Sequence, residues 1–267
     1  MSVLKRLGVL GVCLMVTGPA QVYAQDMMKH VDLTSPDMTE AEMTRDDVEA
    51  AIAAAGPDAP ADFTGKRLSG LDLSGVDFKG AVLRSARLNN TNLTGAKLDK
   101  AVLDQAWMLK ADLTGASLKG ANMFQTQLMR AKLDGADMTN ARVASDLTKA
   151  SMKGAIFVGA NLSADMRNQS MGLMRGVLKS ADLEGADFSG ANLSRVNFEF
   201  ASLKGANLAG ANLMGAELGG ANLSEANLAG ADLSNADIQD ARFLKVRGVD
   251  TIIGLDTTKH RKSAIFD

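Results

Sequence analysis

The stretch ANLAGANLMGAELGGANLSEANLAGADLSNA (Ala206–Ala236) returns an alanine at every fifth position. The same phase runs back to Phe63 through DFTGK, RLSGL and DLSGV, with a large apolar residue at each fifth place. Two places before that central residue stands a small one, usually alanine, and two places after it stands Gly, Ser, Asn or Lys. A tandem repeat of this kind indicates a solenoid.

Neither common secondary structure can use a five-residue spacing. In an α-helix five residues advance by about 500°, so successive leucines would drift around the axis by about 140°. In a flat strand the period is two, and alternate leucines would point to opposite faces. The backbone must therefore turn a corner every five residues, and the frequent glycine after the leucine suits a corner because it adopts positive φ without steric cost.

The repeats ADLTG, ANLSE and ADLSN follow the pattern A-[DN]-L-x-x, and the chain resembles the pentapeptide-repeat family over about Asp62 to Lys245. The resemblance implies an all-β solenoid, a right-handed quadrilateral β-helix with four pentapeptides in each coil. It also implies that the central Leu or Phe and the preceding Ala point inward. About nine coils at a strand spacing of ~4.8 Å would form a rod on the order of 45 Å long.

The open ends of such a rod require covers, because a solenoid exposes unpaired edges and apolar interior there. Upstream, TRDDVEAAIAAAG offers Thr44 as an N-cap with Asp47 three residues later, and Gly56–Pro57 as a stop. Downstream, the five-residue phase is lost and apolar residues remain. These are Ile252, Ile253, Leu255, Ile265 and Phe266. The sequence predicts four parts: a signal peptide at 1–24, an N-terminal segment with a capping helix at 25–61, the β-helix at 62–245 and a C-terminal cap at 246–267.

The first residues have the pattern of an export signal. Lys5 and Arg6 precede the apolar stretch LGVLGVCLMVTG, and Val22 and Ala24 stand at −3 and −1 of a cleavable bond before Gln25. A membrane anchor needs about 20 apolar residues, and this stretch ends sooner. We expect cleavage after Ala24, export to the periplasm or beyond, and no stable membrane anchor afterwards.

The single cysteine, Cys13, lies within this segment. Lipid attachment at Cys13 is the alternative to cleavage after Ala24, although Val12 stands where a lipoprotein signal prefers a small residue. After cleavage the mature chain would contain no thiol, which excludes disulfides and cysteine chemistry.

The repeat changes phase twice. Val143, Leu147 and Met152 show that one residue is missing near Ser145. Between Leu162 and Leu173 eleven residues pass instead of ten, which restores the original phase. The register break at 144–172 is interpreted as a bulge or short loop, and the alternative is a bend or excursion that a partner grips.

No motif for catalysis is present in the sequence. The two histidines, His30 and His260, stand near no metal-ligand spacing or nucleophile, and we expect both to be solvated. Carboxylates recur because the repeat places Asp before Leu, so pairing any two as acid and base would be arbitrary. The sequence predicts a protein that is not an enzyme, with no catalytic residue, cofactor or metal.

Charge separates two functional hypotheses. Better-known relatives mimic DNA and bind gyrase in the cytoplasm, and a mimic of this length should carry on the order of 25 negative charges. Residues 61–170 instead contain 15 basic and 10 acidic residues, a net charge of +5, and residues 171–240 contain 4 and 9, a net charge of −5. The sequence therefore favours an exported protein-interaction or structural scaffold over the DNA mimic, with a secreted effector as a third hypothesis. We expect an unknown protein partner and no nucleic acid, and the complementary halves make a homodimer an alternative.

The resemblance also turns the positions before and after each central Leu outward, and these are mostly polar. On two neighbouring walls of coils two to four they are apolar instead. This predicted interface comprises Val82, Val102, Trp107, Leu109, Phe124 and Met129, and a charged rim is predicted at Arg87, Lys110 and Arg130. The alternatives are unrelated surface apolar residues or a bulge that turns Trp107 inward.

Overall fold

The structure is a computed structural model that describes residues 31–56, 58–166 and 174–267. The predicted signal peptide, with Cys13, and His30 lie outside these residues. Among the described residues, two helices precede the repeats, α1 (Pro36–Thr39) and α2 (Arg45–Ala54). Two short strands pair in parallel near the C-terminus, β1 (Arg242–Phe243) and β2 (Ile265–Phe266).

Parallel bridges join residues twenty positions apart and define the coil. Asp62 pairs with Val82 and Val82 with Val102, while the Phe63 amide donates to the Val82 carbonyl at 2.7 Å. Four such ladders stand side by side and form four walls, numbered 1 to 4 from their first residues. These are Asp62, Arg67, Asp72 and Asp77. Wall 1 passes through ten bridged residues, which gives nine complete coils. The predicted four-sided β-helix is confirmed.

Each pentapeptide contributes one wall and one corner. The central residue and the alanine two places before it are buried, as at Leu113 and Ala111. The chain then turns, and the Lys66 amide donates back to the Phe63 carbonyl at 3.0 Å. The residue before that donor adopts positive φ, 67° at Gly65 and 58° at Lys100. Positive φ favours glycine, but the corner also accepts larger residues.

The Asp or Asn before each central residue stabilises the corner. The Thr64 amide donates to Asp62 Oδ1 at 2.8 Å, and the Ala209 amide donates to Asn207 Oδ1 at 3.3 Å. The hydroxyl and the amide of Thr64 hold the pKa of the Asp62 carboxyl below its usual value. The side-chain oxygen thus closes a local turn onto its own backbone, which explains why the repeat favours Asp or Asn there.

The two changes of phase have different causes. Gln127 pairs with Asp146, nineteen residues later, so one residue is missing as predicted. Asp146 pairs with Val177, thirty-one residues later, so eleven extra residues leave the coil between walls 1 and 2. The bridged positions pass from Asn161 to Val177, so the described inward ladder continues from Leu162 to Leu178. Leu173, predicted to resume the inward ladder, lies outside the described residues.

Ion pairs fix both flanks of this eleven-residue insertion. On the outgoing side Asp165 Oδ2 lies 3.2 Å from Arg142 Nη2. On the returning side Arg175 forms two hydrogen bonds of 2.8 Å with the Glu217 carboxylate, two coils further on. Only 11% of the Arg175 side chain is exposed. Bidentate pairing of this kind fixes the orientation of both groups.

At the N-terminal end, α2 begins with the predicted capping box between Thr44 and Asp47. Its Val48 and Ile52 are buried and belong to the same apolar cluster as Phe63. The Glu42 amide donates to the Arg67 carbonyl at 2.9 Å, which ties the segment before α2 to the first coil. The helix therefore covers the apolar interior of the first coil.

At the C-terminal end the ladders continue past Lys245. Each wall of this last segment is bridged to the coil before it, but successive bridged residues are six apart: Arg247, Ile253, Lys259 and Ile265. Three 3-10 helices occupy the longer corners, at Val249–Thr251, Leu255–Thr257 and Arg261–Ser263. The predicted cap is thus a widened final coil. Ile253 and Ile265, expected to cover the end, are 55% and 46% exposed because they occupy the outward position.

Candidate interaction surface

The structure brings the six predicted interface residues onto adjoining walls. Val82 and Val102 pair on wall 1, and Trp107 lies on wall 2 between Arg87 and Gln127. Trp107 points outward, since the next residue, Met108, occupies the buried position. All six side chains are half-buried, and none is among the large apolar residues with the greatest exposure in the described part of the chain. Their role in binding stays a prediction.

The remaining three residues occupy corners. Leu109 and Met129 lie on the corner between walls 2 and 3, where the Lys110 amide donates to the Met129 carbonyl at 3.1 Å. Phe124 lies on the corner between walls 1 and 2, and the guanidinium carbon of Arg142 is 4.4 Å from its ring centroid. Arg142 therefore covers one face of the ring, an arrangement that attracts the cation to the aromatic electrons.

The predicted rim is only partly available. Arg87 pairs with Asp37 at 2.6 Å and donates to the Gly65 carbonyl at 3.1 Å, so it holds the N-terminal segment against the first coils. Arg87 is thus already paired within the chain, and its role at the rim of the patch stays a prediction. Lys110 and Arg130 are exposed and form no ion pair with any residue the structure describes.

Asp104, which sequence reasoning did not single out, lies between the two groups of apolar residues. It accepts hydrogen bonds from Asn122 Nδ2 at 3.0 Å and from the Phe124 amide at 3.2 Å, and Arg84 Nη2 lies 3.8 Å away. Burial raises the pKa of Asp104, although the Phe124 amide and the two arginines, Arg84 and Arg142, oppose the rise. The twenty-residue spacing of Arg84 and Asp104 is the signal that could have revealed this pair.

Comparison with known proteins identifies the repeats directly. The profile for pentapeptide repeats matches eight copies, at residues 61–99, 96–135, 108–143, 177–210 and 211–246. The chain belongs to the pentapeptide-repeat family. Proteins of this family are generally structural or interaction proteins, not enzymes.

Solved structures of two other pentapeptide-repeat proteins are similar to this chain. HetL, involved in heterocyst differentiation regulation in the cyanobacterium Nostoc sp. strain PCC 7120, is 28% identical, with 84% of this chain and 95% of HetL covered and a TM-score of 0.34. QnrB1, a plasmid-mediated fluoroquinolone resistance protein, is 17% identical, with 77% of this chain and 91% of that chain covered and a TM-score of 0.43. A search of curated proteins returned no match.

In this pentapeptide-repeat protein the last coils carry a polar cavity of about 390 Å³ along wall 2. Two of its acidic groups are already paired: Glu217 binds Arg175, and Asp237 Oδ1 lies 2.8 Å from His260 Nδ1. The His260 side chain is 56% exposed. Within 31–56, 58–166 and 174–267, no group of His, Cys, Asp and Glu is arranged to hold a metal ion, and no helix is long and apolar enough to cross a membrane.

Proposed function

We propose that the protein is an exported, non-enzymatic scaffold that binds a protein partner through the patch formed by the six interface residues. The patch is defined as Val82, Val102, Trp107, Leu109, Phe124 and Met129. The observation that carries the proposal is their common placement on walls 1 and 2 and the corners that follow these walls, at positions where the repeat elsewhere places mostly polar side chains. An apolar centre with charged neighbours is the composition expected of a protein interface.

Substitution of Trp107 tests the patch. Trp107→Ala should weaken partner capture or self-association by more than about 1 kcal/mol, because aromatic residues near the centre of an interface carry much of its binding energy. The unfolding midpoint should change little, since Trp107 points outward. Capture by the mature protein from a periplasmic fraction and circular-dichroism melting provide the two measurements.

A matched control removes an apolar side chain outside the patch. Met214 is 46% exposed at an outward corner position, so Met214→Ala should leave capture unchanged. If Trp107→Ala lowers the unfolding midpoint and spares capture, Trp107 is a structural residue and the patch is not an interface. Capture of gyrase subunits would instead favour the DNA-mimic hypothesis.

Export is tested by the intact mass of the protein from its native host. We expect a chain that starts at Gln25, as the Val22 and Ala24 cleavage pattern predicts. A mass that retains Met1, or that includes lipid at Cys13, would contradict this part of the proposal. Cell fractionation then separates a periplasmic from an extracellular location.

A further inference from the structure

A column of cations follows the corner between walls 2 and 3. Lys110, Arg130 and Lys149 occupy the same corner position in three successive coils. The Lys110 amide donates to the Met129 carbonyl at 3.1 Å and the Arg130 amide to the Thr148 carbonyl at 3.0 Å, so the coils are in register there. At a strand spacing of ~4.8 Å, the three charges form a line parallel to the rod axis.

The cations of this column are not used within the chain. All three are exposed, and none forms an ion pair or a side-chain hydrogen bond with any residue in the described ranges. Three other lysines, in coils two to four, are each paired with an aspartate one coil away. These pairs are Lys97 with Asp77 at 3.6 Å, Lys119 with Asp137 at 3.1 Å and Lys132 with Asp112 at 3.4 Å. Lys79 and Lys100 are also exposed and form no ion pair with any described residue, but they do not share one corner position. The column is distinguished because its three unpaired cations occupy the same corner position in successive coils.

The backbone at the column gives an independent argument. Lys110, Arg130 and Lys149 have φ of 56°, 58° and 59°, a conformation that costs stability for a residue with a side chain. The next corner, between walls 3 and 4, makes the same turn with glycine in seven successive coils. These are Gly75, Gly95, Gly115, Gly135, Gly154, Gly185 and Gly205. The fold does not require side chains at this position, so the column carries them at a cost in stability.

Apolar residues of the patch run beside the column on its wall 2 side. Leu109 and Met129 directly precede Lys110 and Arg130, and Trp107 lies on the adjoining wall. All three apolar side chains are half-buried and lie close to the surface of the rod without projecting from it. A row of charge beside a row of shallow apolar contacts suits a ligand that alternates acidic and apolar groups.

We propose that the column and this apolar row together bind an acidic, extended segment of a protein partner that lies along the rod axis. Its carboxylates would pair with the three cations, and its apolar side chains would pack on Trp107, Leu109 and Met129. The inference rests on the proposed function and specifies the chemistry of the partner. A lipid surface is disfavoured because, in the three coils of the column, this corner carries no strongly exposed apolar side chain to insert; Phe200 is strongly exposed at the same corner, but two coils beyond Lys149. Nucleic acid is disfavoured because Trp107 is half-buried in the wall and cannot act as a stacking platform.

Fluorescence polarisation with a short labelled peptide of alternating Glu and Leu tests the column. Triple substitution to glutamine (Lys110→Gln, Arg130→Gln, Lys149→Gln) should weaken binding about tenfold or more, because three charge pairs are lost. The matched control removes the same charge from paired lysines (Lys97→Gln, Lys119→Gln, Lys132→Gln) and should weaken binding less than about threefold by screened, long-range attraction alone. Equal losses in the two triple variants would overturn the proposal.

A second variant separates loss of binding from loss of the folded structure. Glycine at the same three positions should raise the unfolding midpoint, because the corner favours glycine, and should also abolish peptide binding. If that variant binds as well as the native protein, the column is not the site. Equal binding of a Gln-for-Glu peptide would also overturn the proposal.

Anionic phospholipid vesicles and a single-stranded oligonucleotide test whether the column binds another kind of polyanion instead of an acidic peptide. If either binds more tightly than the peptide and loses binding in the glutamine variant, the ligand class is wrong. The proposal of an acidic partner can fail while the proposed function stands. Absence of peptide binding by the native protein, together with an effect of Trp107→Ala on partner capture, would reject the acidic partner and retain the interface.

Discussion

The rod is covered at its N-terminal end by a helix, α2, and continues at its C-terminal end as a coil with six residues in each wall. The helix satisfies most of its own backbone groups and buries Val48 and Ile52. The final coil is bridged on one side only in the described chain, and its Ile252, Leu255 and Phe266 are half-buried. A helix can cover an apolar interior, whereas an extra coil covers the coil before it and exposes an unpaired edge of its own.

Substitutions in the middle of the rod provide the reference with which the stability losses at both ends are compared. Leu113 is fully buried, so Leu113→Asp should lower the free energy of unfolding by about 3 kcal/mol or more, as an unpaired buried charge does. Asp112 points outward and accepts bonds from Thr114 and Lys132, so Asp112→Ala should cost about 1 kcal/mol. Urea titration measures both, and equal losses would contradict the inward and outward assignment.

Truncation at each end sharpens the comparison. A chain that lacks residues 1–60 should aggregate or melt at a lower temperature, because the interior beneath α2 becomes open. A chain that ends at residue 245 should lose less thermal stability, since its new last coil exposes an edge similar to the edge of the segment that was removed. Removal of 1–24 alone should change little. Thermal melting with light scattering compares the three, and equal midpoints for the 1–60 and 1–24 deletions would show that α2 is not a cover.

Single substitutions compare the same ends without truncation. Val48→Ala removes buried methyl groups and should cost about 2 kcal/mol. Ile252→Ala removes more atoms, yet it should cost about 1 kcal/mol or less, because Ile252 is only half-buried. Urea midpoints of the two variants measure the difference. A larger loss at Ile252 would mean that the final coil seals its end as well as the helix does.

Acidification should affect the N-terminal end through its capping box. The backbone amide of Thr44, and its hydroxyl, hold the pKa of Asp47 below its usual value. A lowered pKa contributes stability that is complete above the unfolded value of about 3.9 and is lost as the pH falls through the folded value. The melting difference between the native protein and Asp47→Asn should therefore be present at neutral pH and vanish in acid. A difference that persists unchanged below both pKa values would exclude Asp47 titration as its cause.

Period and capping chemistry were readable from the sequence. The five-residue spacing predicts the walls and the inward Leu and Ala, and Thr44 with Asp47 predicts the start of α2. The insertion was not readable, because eleven extra residues equal two pentapeptides and one residue. Counting the five-residue phase therefore interprets the residues between Leu162 and Leu178 as two further walls and a one-residue slip. The six-residue walls were also hidden, since the bridged residues Ile253, Lys259 and Ile265 share no chemical type.

The patch shows a similar limit. Stacking at twenty residues predicts that Leu109 and Met129 are neighbours, because the backbone alone determines it. The contact of Arg142 with Phe124 depends on the path of a long side chain from the next coil. The pairing of Arg87 with Asp37 depends on where the segment before the repeats lies. Neither contact follows from the five-residue period. The sequence therefore predicts the positions of the patch residues but not the side chains that contact them or pair with the predicted rim.

The insertion between Leu162 and Leu178 also bears on how such a rod can be modified. The walls above and below it remain bridged, through Asn161 with Asn192 and Asp146 with Val177. The backbone bridges join only neighbouring coils, so a change of length at one corner need not shift the register of the other walls. This corner is therefore a natural acceptor for a grafted epitope or binding loop, and the Arg142–Asp165 and Arg175–Glu217 pairs already provide fixed points at which to join it.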